Sequence, residues 1–129
     1  MDEIFEFIRE ADVFYLATVR NGKASIRPFG VIEKIKGKLY IATNTDKEVY
    51  KDLINNKSFA INAVLSRDTI RVNGTVIEHK DEEIREIFFS DFPYLSSMYS
   101  SSLSKFVAFE LVIDLAYIEK SDHSRHIIC

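Results

Sequence analysis

The stretch Ile41 to Leu53, IATNTDKEVYKDL, holds the residue types best spaced for chemistry. Leu39, Tyr40 and Ile41 end a strand, and Val49, Tyr50 and Leu53 fall at helical spacing, so strand passes to helix within a few residues. Thr45 with Glu48 three residues on fits the T-x-x-E capping box, in which each side chain satisfies an orphan backbone donor. A helix start of this kind presents free N–H groups and a positive dipole end, which suits a phosphate. Lys47 sits in the same turn, where a cation opposes the dipole unless an anion accompanies it. Two readings follow: a capped surface helix in which Asp46 and Glu48 compensate a solvated Lys47, or a seat for an anionic ligand.

Other polar residues are less organised. Arg27 lies in the run Ser25-Ile26-Arg27-Pro28-Phe29-Gly30, and Arg71 lies on a strand among apolar residues, where a surface ion pair is the simpler role. Tyr94, Met98 and Tyr99 fall in a Ser-rich segment and read first as core packing, with the wall of a ligand site as the second reading. His79, His123 and His126 lack metal-ligand spacing. The single cysteine, Cys129, excludes an internal disulfide framework and any cysteine-rich metal site. No nucleophile, acid or base constellation stands out, and no catalytic side chain is assigned.

The elements that must position these residues are mostly strands. A length of 129 residues fits one domain, residues 1–129, with 119–129 as a flexible polar tail. A net charge of −3 gives no footprint for bulk nucleic-acid binding. No apolar run reaches the roughly 18–20 residues of a membrane span, and acidic Asp2 and Glu3 open the chain instead of a signal peptide, so a cytoplasmic protein is expected. Strands are expected at 13–19, 24–32, 38–43, 58–65, 69–78 and 105–118, with a hairpin turn at Asn21-Gly22 and a further turn over 33–37. Pro28 marks a bulge, bend or edge, and Gly74 a bulge or close backbone approach. The odd positions from Val107 to Tyr117 are all apolar, which places them on one face. Helices are expected at 2–10, 46–54 and 81–89, with 92–104 a loop or short helix. The class is mainly β with two to four short helices, a six-stranded antiparallel barrel closed to remove its edges. Apolar residues on both faces of several strands point to a partner chain, most simply a two-fold homodimer.

Taken in order after the FYLATV strand and its hairpin, the segments SIRPFG and LYIATNTDK resemble the pyridoxamine 5′-phosphate oxidase-like family of FMN-binding split barrels, particularly its short, nitroimidazole-resistance-type members. The resemblance spans residues 4–118. It implies a Greek-key split β-barrel and a homodimer with FMN at the subunit interface. It lays Arg27, Pro28 and Phe29 along the flavin ring or ribityl chain, matches Thr43, Asn44, Thr45 and Lys47 to the phosphate-binding turn, and lets Arg71 approach from the other subunit. Arg27 and Lys47 would then nearly neutralise a phosphate of about −1.5 to −2 charge. The implied activity is an FMN-dependent oxidoreductase acting on a small molecule, with NADH or NADPH as candidate donor. Pyridoxal phosphate synthesis is not expected, because the chain stops soon after its last long strand. The alternatives are a non-catalytic flavin-binding or sensing dimer, or a member using deazaflavin or haem.

Overall fold

The computed structural model describes residues 1–129. In chain order the elements are α1 (Asp2–Ala11), β1 (Phe14–Arg20), β2 (Lys23–Phe29), β3 (Ile32–Ile35), β4 (Lys38–Asn44), α2 (Glu48–Asn55), β5 (Ser58–Leu65), β6 (Asp68–His79), α3 (Glu82–Asp91), α4 (Pro93–Met98), a single 3-10 turn at Leu103–Lys105, β7 (Phe106–Glu119) and β8 (Arg125–Ile127). Asn21 and Gly22 both adopt positive φ, 52° and 75°, the pairing that lets a two-residue turn follow the strand twist between β1 and β2.

All strand pairs are antiparallel, and the sheet runs β2-β1-β5-β6-β7-β4-β3, with β8 added beside β7. The class is mainly β, as expected, and the architecture is that of a split barrel. Two expectations are corrected. There are eight strands, not six, because the run expected as 24–32 breaks after Phe29 and restarts at Ile32, and because part of the tail pairs with β7. The barrel is also not closed: β2 and β3 end the path, joined through Gly30 and Val31 without a ladder between them. The tail is fastened further by Ala116, whose backbone exchanges hydrogen bonds with Ile128 and Cys129 at 2.8–3.2 Å.

Inward residues of β1, β3, β4, β5, β6 and β7 meet α1 in one core, with Ile4, Ile8, Phe14, Leu16 and Phe109 among its buried members. A second cluster on the opposite face of β3, β4 and β7 packs Phe88, Leu95, Tyr99 and Phe106 under α3 and α4. The early part of β7 is therefore covered on both sides. Its apolar periodicity does not stay on one face. A bulge opposite Asn73 and Gly74 inserts one extra residue, so Phe109 and Leu111 point into the core, whereas beyond the bulge Ala116 and Ile118 do and Leu115 turns outward. Gly74 makes this possible: a Cβ there would lie 1.9 Å from the Val112 carbonyl oxygen. No helix is long and apolar enough to cross a membrane.

Candidate functional site

Alternation along the first hairpin puts Thr18 and Arg20 on the same side as Ser25 and Arg27, and the register sets Thr18 opposite Ser25. α2 lies across that side with Glu48 and Asp52 one turn apart. Asp52, 6% exposed at its side chain, is the hub. Its carboxylate accepts hydrogen bonds from Thr18 Oγ1 at 2.9 Å, Arg20 Nε and Nη2 at 3.0 Å each, and Arg27 Nη2 at 3.3 Å. The bond from Arg20 is the main cause holding the Asp52 carboxyl below its ordinary value; burial opposes it, and Thr18 and Arg27 reinforce it. Arg27 is otherwise spent inside the protein, donating to Leu16 O at 3.0 Å, Thr18 Oγ1 at 2.9 Å and Ser25 Oγ at 2.8 Å. Burial pulls its guanidinium down, with Asp52 working against the change.

The strand-to-helix corner differs from the expected capping box. α2 begins at Glu48, and its N-cap is Lys47 with extended φ/ψ of −76° and 146° and no side-chain cap. Thr45 lies too early to cap, and its N–H donates to Lys105 O at 3.0 Å. Asn44 organises the turn instead, accepting from Asp46 N through Oδ1 at 3.0 Å and from Lys47 N through its carbonyl at 3.2 Å. The N–H groups of Glu48, Val49 and Tyr50 have no protein acceptor. Both flanking carboxylates are drawn away from Lys47: Asp46 pairs with Lys105 Nζ at 2.8 Å and Glu48 with Arg20 Nη1 at 2.6 Å. Lys47 is left as an exposed cation without a carboxylate partner beside an uncapped helix start.

These groups face a cavity of about 640 Å³, within the few-hundred to thousand Å³ range of ligand pockets. Its lining joins polar residues, Arg20, Arg27, Asn44, Lys47 and Glu48, to apolar ones, Phe29, Val31 and α4 side chains. Of the residues singled out from sequence, Arg27, Pro28, Phe29, Thr43, Asn44 and Lys47 line it together. Thr45 lies outside the lining. Arg71 is on the other side of the sheet, in a separate hollow of about 340 Å³ with Tyr15, Asn62, Asn73 and Tyr117. Tyr94, Met98 and Tyr99, read first as core, all reach the cavity wall: Tyr99 is buried, and its phenol is pushed up by burial, whereas Tyr94 and Met98 are 55% and 60% exposed. Arg20 and Asp52 were missed. Their signal was present as Thr18/Arg20 and Ser25/Arg27 at period two flanking an Asn-Gly turn, with Glu48/Asp52 at i,i+4.

The family model for pyridoxamine 5′-phosphate oxidase matches residues 1–119. The chain belongs to that family. Its fold is also that of a NimC/NimA family protein from Clostridium acetobutylicum, with a TM-score of 0.91 at 30% identity over 98% of this chain and 90% of that one. Two more distant structures share the fold: an FAD-binding protein from Mesorhizobium loti (TM-score 0.69, 16% identity, 90% of this chain and 91% of that one) and the haem storage protein HutZ from Vibrio cholerae (TM-score 0.68, 14% identity, 95% and 97%). No curated protein matches the chain. As a member of the pyridoxamine 5′-phosphate oxidase family, the protein carries its cavity at the open seam of the split barrel, where β2, the end of β4, the start of α2 and α4 converge.

Proposed function

We propose that this protein is a cytoplasmic flavin-binding oxidoreductase that holds FMN in the β2–β4–α2–α4 cavity as a homodimer and acts on a small molecule. The observation that carries the reading is the cavity's mixed lining: the unpaired Lys47 at a helix start with acceptor-free amides, together with apolar and aromatic walls. The residues present fit such a cofactor. Its phosphate needs donors and positive charge, which the α2 start, Asn44, Thr43 and Lys47 can supply. Its ring needs a flat apolar surface, which Pro28, Phe29, Val31, Tyr94 and Met98 offer. Bound flavin would supply the electron transfer; the protein supplies orientation and access. Arg27 does not enter this reading as a free phosphate fork, because both of its terminal nitrogens already donate to Asp52 and the β1–β2 hairpin. It instead stiffens the strand against which the ring would lie.

Family membership and the FAD-binding protein of Mesorhizobium loti favour flavin. HutZ keeps haem as the second reading, but no histidine lines this cavity, so an imidazole ligand to iron would have to come from elsewhere. The homodimer is proposed from the outer sheet face, where Tyr15, Ile26, Val64 and Leu115 are 39–66% exposed. Arg71 sits on that face and Ile26 borders both hollows, so a second copy there brings its Arg71 towards the first copy's cavity.

The absorption spectrum of the purified protein, followed by FMN titration, tests the reading. An oxidised-flavin spectrum is expected, with FMN bound more tightly than riboflavin and Lys47→Ala weakening FMN by roughly 1.5–3 kcal/mol, the range for hydrogen bonds to charged groups. A haem spectrum, or no flavin binding at all, overturns it. Turnover of an acceptor with NADH or NADPH separates an oxidoreductase from a flavin-storing or flavin-sensing protein.

A further inference from the structure

Three cations border the cavity, and they are not equivalent. Arg27 has Nη1 and Nη2 committed to Leu16, Thr18, Ser25 and Asp52. Lys47 has no carboxylate partner. Arg20 is intermediate: Nε and Nη2 are fixed on buried Asp52, while Nη1 meets Glu48 Oε2 at 2.6 Å. The two carboxylates also differ. Asp52 is 6% exposed and held by three side chains; Glu48 is 72% exposed and pairs with Arg20 alone. Glu48 can therefore leave at small cost, because an exposed ion pair contributes little. Asp52 cannot leave without stranding buried charge.

Resting on the FMN reading of this cavity, we propose that Arg20 is the second phosphate-binding cation of the site and that the Glu48 carboxylate stands in for the phosphate until the ligand arrives. The anion takes Nη1 from Glu48, which swings into solvent, and Asp52 keeps the guanidinium aimed throughout. Arg20, Arg27 and Lys47 balance Asp52 and Glu48 to a local charge of +1. A phosphate near −2 would make that −1 unless the Glu48 charge moves out to water, where it is screened. Glu48 thus sets a threshold: a monoanion gains little by displacing it, whereas a phosphate monoester, with higher charge and several acceptor oxygens, wins. The site selects phosphorylated flavin over the unphosphorylated nucleoside-like form through competition at Arg20 as well as through attraction at Lys47.

Fluorescence titration of FMN and riboflavin into wild-type protein, Glu48→Gln, Arg20→Gln and Arg20→Lys tests this. Glu48→Gln, at an exposed position, should tighten FMN about tenfold, the order of one charge-assisted hydrogen bond, and leave riboflavin unchanged. Arg20→Gln should weaken FMN by a similar factor with riboflavin little affected; Arg20→Lys, which keeps a cation on Asp52, should restore part of the loss. FMN affinity unchanged or weakened in Glu48→Gln, or equal effects on both flavins, overturns the proposal while leaving the cofactor reading intact. Failure of wild type to bind either flavin overturns both.

Discussion

Thr18 Oγ1 donates to Asp52 Oδ2 at 2.9 Å, and through this bond helix α2 is tied to the inner side of the β1–β2 hairpin. Because Arg20 and Arg27 converge on the same carboxylate, one acidic residue on a helix fixes two strands that form a wall of the cavity. Replacing Asp52 by Ala leaves two guanidiniums without their anion. Loss of about 2–4 kcal/mol is expected, somewhat under the fully buried case because Arg20 is 38% exposed. Urea denaturation measures it. The pH dependence has a definite sign. Asp52 titrates below its ordinary value when folded, so its contribution is present above pH 4 and is lost as pH falls through the lower folded value. Asp52→Ala should therefore narrow the gap in stability between pH 7 and pH 3.

Glu33 behaves in the opposite way. Its side chain is 4% exposed, with Arg9 Nη2 at 2.7 Å. Burial first, and then neighbouring Asp91, push its carboxyl up to about 7, with Arg9 opposing. A folded value above the unfolded one means that the contribution is fully present below about pH 4.5 and disappears as pH rises through 7. Stability is expected to fall between pH 5 and pH 8 by roughly 2–4 kcal/mol from this group. Glu33→Gln, whose amide oxygen can still accept from Arg9, should flatten that slope. Denaturation midpoints at the two pH values decide it, and an unchanged slope removes Glu33 as the cause.

Most of the frame was legible because its signals are local. The Asn21-Gly22 turn, the length of β5 and the strand-to-helix passage after Ile41 follow from residue types within a few positions. The misreadings share a different origin. The break at Gly30-Val31 and the pairing of β8 are decided by where neighbouring strands lie, and the outward turn of Leu115 depends on a bulge whose cause, Gly74, sits on another strand. Likewise Thr45-x-x-Glu48 has the composition of a capping box, yet Arg20 recruits Glu48 from the first hairpin and Lys105 recruits Thr45 from the 3-10 turn before β7. Tertiary partners outcompeted the local ones. The cavity residues on β2 and β4 were found through their segments, but the carboxylate that organises them joins residues 34 positions apart.

Gly74 supplies a direct measure of how far the bulge matters. A methyl group there would meet the Val112 carbonyl oxygen at 1.9 Å and the Asp114 nitrogen at 3.1 Å, both backbone atoms that cannot rotate away. Gly74→Ala must therefore separate β6 from β7 or shift the register. A loss at the upper end of the 1–3 kcal/mol seen for overpacking, or more, is expected in thermal unfolding. Gly22→Ala provides the contrast: nothing lies within 4 Å of its Cβ, so its cost arises from positive φ alone and should be near 1 kcal/mol.

Ile26 separates the fold from the proposed assembly. It is 66% exposed on β2, opposite Ala17, and it borders both the cavity and the Arg71 hollow. Its side chain contributes little to the core of one chain, so Ile26→Asp should lower the stability of an isolated protomer by no more than about 1 kcal/mol, the span of strand propensity. In a two-fold interface the same residue would appear twice, and two buried carboxylates would face apolar surface. Light scattering should then report half the molar mass of the parent protein. If the parent protein is already a monomer that binds flavin with full affinity, the outer sheet face is not the subunit contact, and Arg71 has no part in the site.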